Sequence, residues 1–164
     1  MLPIGIEGNP VRRAGHGCAA GLALRGGPCQ KPRAINGGIK AVSYLVVFLG
    51  AGLGGALRHG VNLWAARAGS SFPFGTMLIN IVGSVLMGAL TGWFAARGGG
   101  PQALRLFLTT GILGGFTTFS TFSLEAFLLW ERGAHAAALA YVAVSVAAGI
   151  AGVAVSLLVL RQLA

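Results

Sequence analysis

Residues 109–125 read TTGILGGFTTFSTFSLE, and no other stretch constrains the fold as tightly. Phe116, Phe119 and Phe122 recur every third residue. Six hydroxyls stand between Thr109 and Thr121, with a seventh at Ser123 and a carboxylate at Glu125. This mixture lies inside a long apolar run. A helix facing only lipid has no use for it, whereas a helix bordering a polar path does. Three and four residues apart means one helical face, so aromatic and hydroxyl edges should run side by side along this segment.

Working outward, the surroundings are those of a membrane protein. The chain has 164 residues, of which 55% are hydrophobic and 9% charged, with mean hydropathy +0.78. Soluble domains carry about 25% charged residues. Four apolar segments are each long enough to cross a bilayer, which needs about 20 residues. They run from Ala41 to about Trp64, from about Phe74 to Ala96, from about Ala103 to Trp130, and from about Ala134 to Leu160. The joining loops, 67–72, 97–102 and 131–133, are short, so neighbouring helices must be antiparallel. One all-α, four-helix transmembrane domain over 40–164 is the expected architecture. Residues 1–39, rich in Gly, Pro and Arg, are expected to be a disordered basic N-terminal extension.

The net charge of +9 does not point to nucleic acid. The basic residues sit in the N-terminal extension or at the ends of apolar runs, as flanking charges of membrane spans do. Cys18 and Cys29 have no His or Cys partners at metal-ligand spacing. The spans contain no nucleophile–His–acid set, so no enzyme is expected.

Each span carries a stripe of small or polar residues. In the second, Thr76, Asn80, Ser84, Gly88 and Gly92 recur every fourth residue. In the fourth, Ser145, Gly149, Gly152 and Ser156 follow Tyr141. The glycines are read as packing seams. Asn80 is different, because an unbonded amide in hydrocarbon is costly; it is a candidate to face a path. Gly111, Gly114 and Gly115 predict a break in the third helix at mid-membrane, since each Gly costs about 1 kcal/mol against Ala in a helix. Such a break frees carbonyls that can hold a cation and amides that can hold an anion.

The spans hold no acidic ring to gather cations. Neutral donors and the positive edges of Phe rings suit a small anion that accepts hydrogen bonds strongly. Glu125 is expected to form a structural ion pair with Arg58, because unpaired burial is unfavourable. The alternative function is a small dual-topology proton-coupled multidrug exporter, which needs a membrane-embedded carboxylate for proton exchange. A third is an assembly protein whose stripes serve packing alone.

GAGLGGALRH (50–59), FGTMLINIVGS (74–84), GILGGFTTFSTFSLE (111–125) and the Tyr141–Ser145 pair together resemble the CrcB/Fluc fluoride channel family, over about residues 41–160. His59 stands where the family usually has Tyr. The resemblance implies an antiparallel, dual-topology homodimer in the cell membrane, with two pores lined by both subunits and passive export of fluoride. Asn80, Phe119, Phe122, Thr121, Ser123, Ser145 and Tyr141 match pore or fluoride-binding positions. Gly114 and Thr117 match the positions whose backbone carbonyls hold a central structural Na⁺ that is not transported.

Dual insertion requires a balanced Lys/Arg count on the two sides. Lys40, Arg97, Arg105 and Arg161 fall on one side; Arg58, Arg67 and Arg132 fall on the other. The basic residues of the extension would upset that balance, so the extension is expected to be absent from the native protein or weak in directing insertion.

Overall fold

The computed structural model describes residues 37–67, 69 and 71–163. Residues 1–36, the bulk of the expected extension, lie outside the described residues; Gly37–Ile39 open the first helix. The described chain is helical, with no strand among the described residues. Helix α1 spans Gly37–Arg67, α2 Phe74–Ala96 and α6 His135–Gln162. Between α2 and α6 the third span is composite. It consists of α3 (Gln102–Arg105), a wider π-helical segment (Leu106–Leu113), α4 (Gly114–Phe116) and α5 (Phe119–Glu131). Four stretches, Ala41–Arg67, Phe74–Ala96, Gln102–Glu131 and His135–Gln162, are long and apolar enough to cross a membrane.

The second span matches the expected limits to the residue, because Pro73 stops any helix from running through it and Gly98–Gly100 close it. Those three glycines have φ of 69°, 95° and 61°, a left-handed run that only Gly adopts cheaply. The result is a tight reversal into the third span. Gly133, with φ 77°, does the same between α5 and α6.

Two helix pairings dominate. The small-residue stripes of α2 and α6 face each other, as expected of a seam. A Cβ at Gly88 would lie 2.5 Å from the Val153 carbonyl oxygen and 2.9 Å from Val153 Cα, and one at Gly92 2.8 Å from Leu160 Cβ. The second pairing sets α1 against the π-helical segment and α4. A Cβ at Gly50 would lie 2.8 Å from Gly111 Cα, and one at Gly115 2.8 Å from Ala51 Cα. The backbones therefore cross almost in contact, which small residues permit.

This corrects the expected location of the break. Gly111, Gly114 and Gly115 stay helical; two of them serve the crossing with α1. Helical geometry is lost two residues further on. Thr117 has ψ 156°, and Thr118 has φ −151° and ψ 117°, so the chain is extended between α4 and α5. Phe116 is thereby cut off from the register of Phe119 and Phe122.

Candidate functional site

The extended pair Thr117–Thr118 is held by side chains on both sides. Thr118 is 7% exposed, so its backbone groups need partners. Asn80, one turn beyond Thr76 on α2, supplies both. Its Oδ1 accepts the Thr118 N–H at 2.9 Å, and its Nδ2 donates to the Thr118 carbonyl at 3.1 Å. The amide thus pairs with a single extended residue as a neighbouring strand would. Thr118 in turn caps α5. Its Oγ1 accepts the Thr121 N–H at 3.3 Å and donates to Thr121 Oγ1 at 3.1 Å, the usual role of Thr at a helix N-cap. Thr117 ends α4 with its N–H and Oγ1 both donating to the Leu113 carbonyl, at 3.0 and 2.9 Å.

Beside this junction lies a cavity of about 330 Å³. Asn80, Thr118, Phe119, Phe122 and Ser145 all border it, and Met87 and Val153 supply apolar wall. Four of the seven pore residues expected from the resemblance therefore meet on one space. Phe119 is 80% exposed and forms an outer edge, while Phe122 is buried; their rings lie 5.8 Å apart, tilted by 39°. Ser145 is 7% exposed, and its Oγ is buried without a hydrogen-bond partner.

The other three expected pore residues are placed differently. Thr121 is half-buried and engaged with Thr118. Ser123 is exposed and donates to the Phe119 carbonyl one turn back, at 2.9 Å. Tyr141, fully buried, stacks on the far side of Phe122 with ring centroids 5.2 Å apart. Its hydroxyl donates to Glu125 Oε2 at 2.9 Å, and Thr76 Oγ1 donates to Glu125 Oε1 at 3.0 Å.

The expected ion pair between Arg58 and Glu125 is not formed within the chain. Both oxygens of Glu125 are served by neutral hydroxyls from α2 and α6, and Arg58 Nη1 points instead to the Thr117 carbonyl, at 3.5 Å. The pairing follows from the location of the break. Thr117 presents a released carbonyl to α1, and Thr76 sits one turn before Asn80, opposite Glu125. Thr76 is a partner of Glu125 that sequence reasoning missed. Its signal was present, as the hydroxyl one turn from Asn80 in the same stripe. Thr118 was read only as part of a hydroxyl row, although a Thr three residues before another Thr after a helix break is a cap signature.

Two backbone carbonyls at the break lose their helical partners. In an unbroken helix the Gly114 carbonyl would accept from Thr118 N–H and the Thr117 carbonyl from Thr121 N–H. Asn80 takes the first amide and Thr118 Oγ1 takes the second. Both carbonyls, at the two positions expected to hold Na⁺, are relieved of those helical partners, and the Thr117 carbonyl is approached by Arg58 Nη1 at 3.5 Å. No cluster of three or more His, Cys, Asp or Glu exists among the described residues.

Residues 45–157 match the family described as CrcB-like protein, Camphor Resistance (CrcB). The chain belongs to the CrcB family. A relative from Methylobacterium nodulans, called fluoride-specific ion channel FluC, is 80% identical over 118 residues, covering 72% of this chain and 95% of the relative. A protein of the same name from Granulibacter bethesdensis is 54% identical over 123 residues, covering 74% of this chain and 97% of its own length. A third, from a Methylobacterium strain, is 74% identical over 118 residues. The CrcB match spans all four apolar helices, and the break, the cavity and the Glu125 cluster all fall inside it. The chain is thus a multi-pass membrane protein of the CrcB family, and its conspicuous surface leucines, valines and phenylalanines are those of a protein solvated by lipid.

Proposed function

We propose that two copies of this chain, inserted in opposite orientations in the cell membrane, form a fluoride channel with two pores that lets cytoplasmic fluoride leave passively. The carrying observation is the Ser145 hydroxyl. A buried polar group without a partner costs about 1–3 kcal/mol, and native structures leave few of them. Ser145 lines a cavity that Asn80 and two Phe rings also border, and its Oγ is buried there without a partner. A small anion entering there would accept from the hydroxyl, and the ring edges would meet it with their positive rims. Asn80 Nδ2 has a second hydrogen beyond the one given to Thr118. Neutral donors favour an ion that accepts hydrogen bonds strongly, which fits the names of the relatives.

The inverted second copy is supported by the face of α5. Phe119, Ser120 and Ser123 are all exposed on α5, and Gly114 is exposed beside the break. Interrupted backbone at membrane depth requires protein or a water-filled cavity over it. A second copy lying across the break supplies that cover. The freed Gly114 and Thr117 carbonyls fit a shared Na⁺, which when bound would tie the two copies together as a fixed positive charge.

In this reading Arg58 acts beside the break, drawing charge density from the Thr117 carbonyl, and the Thr76–Glu125–Tyr141 cluster locks α2, α5 and α6 against one another. Glu125, committed to two hydroxyls, serves structure rather than proton exchange with an exported cation.

The test is efflux from liposomes followed with a fluoride electrode, comparing the wild type with Asn80→Asp and Phe119→Ile. Fluoride should leave rapidly while chloride is retained, and both substitutions should slow it at least about tenfold, as loss of one hydrogen bond's worth of stabilisation would. Equal fluoride and chloride flux, or unchanged flux in both variants, overturns the assignment. Reporter fusions at both termini test dual insertion, and a single fixed orientation of the tail-deleted chain overturns that part.

A further inference from the structure

The break in the third span has a cause outside the third span. Its glycines are helical, and its two extended residues are threonines, which have no intrinsic need to leave a helix. What distinguishes Thr118 is Asn80. The side-chain amide takes both backbone groups of that residue, N–H at 2.9 Å and C=O at 3.1 Å. One of these bonds substitutes directly for a helical one. Thr118 N–H is the group that would close the turn onto the Gly114 carbonyl. While Asn80 Oδ1 holds it, the Gly114 carbonyl has no helical partner.

We infer that Asn80 is the positioning residue that opens the central cation site: its Oδ1 diverts the Thr118 N–H and so keeps the Gly114 carbonyl available to Na⁺. The two atoms of the amide then have separate duties. Oδ1 maintains the cation site through the backbone, whereas Nδ2 holds the Thr118 carbonyl and presents its remaining hydrogen to the cavity. Without Asn80, the cheapest way to satisfy a buried N–H is to rebond it to Gly114. This lengthens α4 by a residue and withdraws one carbonyl from the cation. The inference rests on the reading of Gly114 and Thr117 as Na⁺ ligands, and it assigns to Asn80 an effect that a residue merely lining a pore would not have.

Asn80→Leu and Asn80→Asp separate the two duties. Leu has nearly the same shape and no polar atom. Asp keeps an oxygen to accept the Thr118 N–H but loses the donor and adds a negative charge at the cavity. Purified full-length protein in detergent is titrated with NaCl at constant ionic strength against N-methylglucamine chloride, and the midpoint of thermal unfolding is followed. Fluoride efflux is measured on the same preparations. The wild type should be stabilised by Na⁺ with a saturable dependence. Asn80→Asp should keep that dependence although its fluoride flux is lost. Asn80→Leu should lose the flux and also need about tenfold more Na⁺ for half the effect, or show none, since one hydrogen bond now competes for the carbonyl.

A Na⁺ response in Asn80→Leu equal to that of the wild type overturns the inference, as does a wild type indifferent to Na⁺. If Asn80→Leu yields no folded protein, Asn80→Ala is read by the same criterion. A wild type that binds Na⁺ but conducts no fluoride instead refutes the channel reading, and the comparison of the two variants still decides the role of Asn80.

Discussion

Gly54 is the position where one methyl group should do most harm. It lies in α1 where that helix crosses the third span, between Ile112 and the break. A Cβ built there falls onto the Ile112 carbonyl oxygen, 2.8 Å from Phe116 N and 3.0 Å from the Ile112 carbonyl carbon. Ordinary contact begins at about 3.4 Å, and every clashing atom is backbone. No rotamer change relieves it; α1 and the 112–116 segment must separate. Overpacking of this kind costs about 1–3 kcal/mol, and a clash with backbone alone belongs at the upper end. About 3 kcal/mol is more than a hundredfold in the folded population. The displaced segment leads straight into Thr117, so fluoride flux should fall with stability. Gly52, two residues earlier, is the control. A Cβ there meets nothing within 4 Å in the chain, and Ala for Gly in a helix gains about 0.5–1 kcal/mol. Thermal unfolding of Gly54→Ala and Gly52→Ala in detergent, with fluoride efflux from liposomes, gives the comparison. Opposite signs are expected. Wild-type stability and flux in Gly54→Ala would refute the close crossing of α1 with the third span.

Ser145→Ala removes a buried hydroxyl that has no partner in the chain, so stability should be unchanged or raised slightly while fluoride efflux falls. A drop in unfolding temperature without loss of flux would place that hydroxyl in the packing and not on the path. Tyr141→Phe deletes the bond to Glu125 Oε2 and leaves the ring stack intact. It should cost about 1–2 kcal/mol, read as a fall of a few degrees in unfolding temperature. Combining it with Thr76→Val tests whether Glu125 is the shared acceptor: the double variant should depart from additivity, as neighbours on one group do, and strict additivity would count against the cluster.

Much of the architecture was open to reading because a bilayer simplifies the problem. Apolar length set four helices, Pro73 marked the start of the second, and the four-residue spacing of Gly88 and Gly92 marked a packing seam, which the structure sets against α6. Asn80, Phe119, Phe122 and Ser145 also border one cavity. Where the reading went astray, it relied on local preference. Gly111 and Gly115 are poor helix formers, yet tertiary contact with α1 uses their missing side chains to bring backbones together and leaves them helical. Glu125 was matched to Arg58 by charge, although Thr76 and Tyr141 stand closer in the packed bundle and offer two hydroxyls to its two oxygens.

The same contrast explains why the break could not be located from the third span alone. Helix-breaking tendency is a property of a residue, worth at most about 1 kcal/mol. Two hydrogen bonds to a half-buried amide are worth more than that, and they come from a helix 38 positions away in sequence. A Thr pair ordinarily stays helical in a membrane, bonding back to the preceding turn, as Thr117 Oγ1 does to the Leu113 carbonyl. Thr118 departs because Asn80 offers its backbone a better bargain and because its own hydroxyl then becomes free to cap α5. The interruption is therefore a tertiary feature, and sequence changes at Asn80 should move it further than sequence changes at the glycines once blamed for it. Gly114→Ala supplies the direct comparison: within the chain its Cβ would meet only the Thr109 carbonyl, at 3.8 Å, so it should leave the break and the Na⁺ response in place, whereas Asn80→Leu should shift the break by a residue and weaken or remove the Na⁺ response.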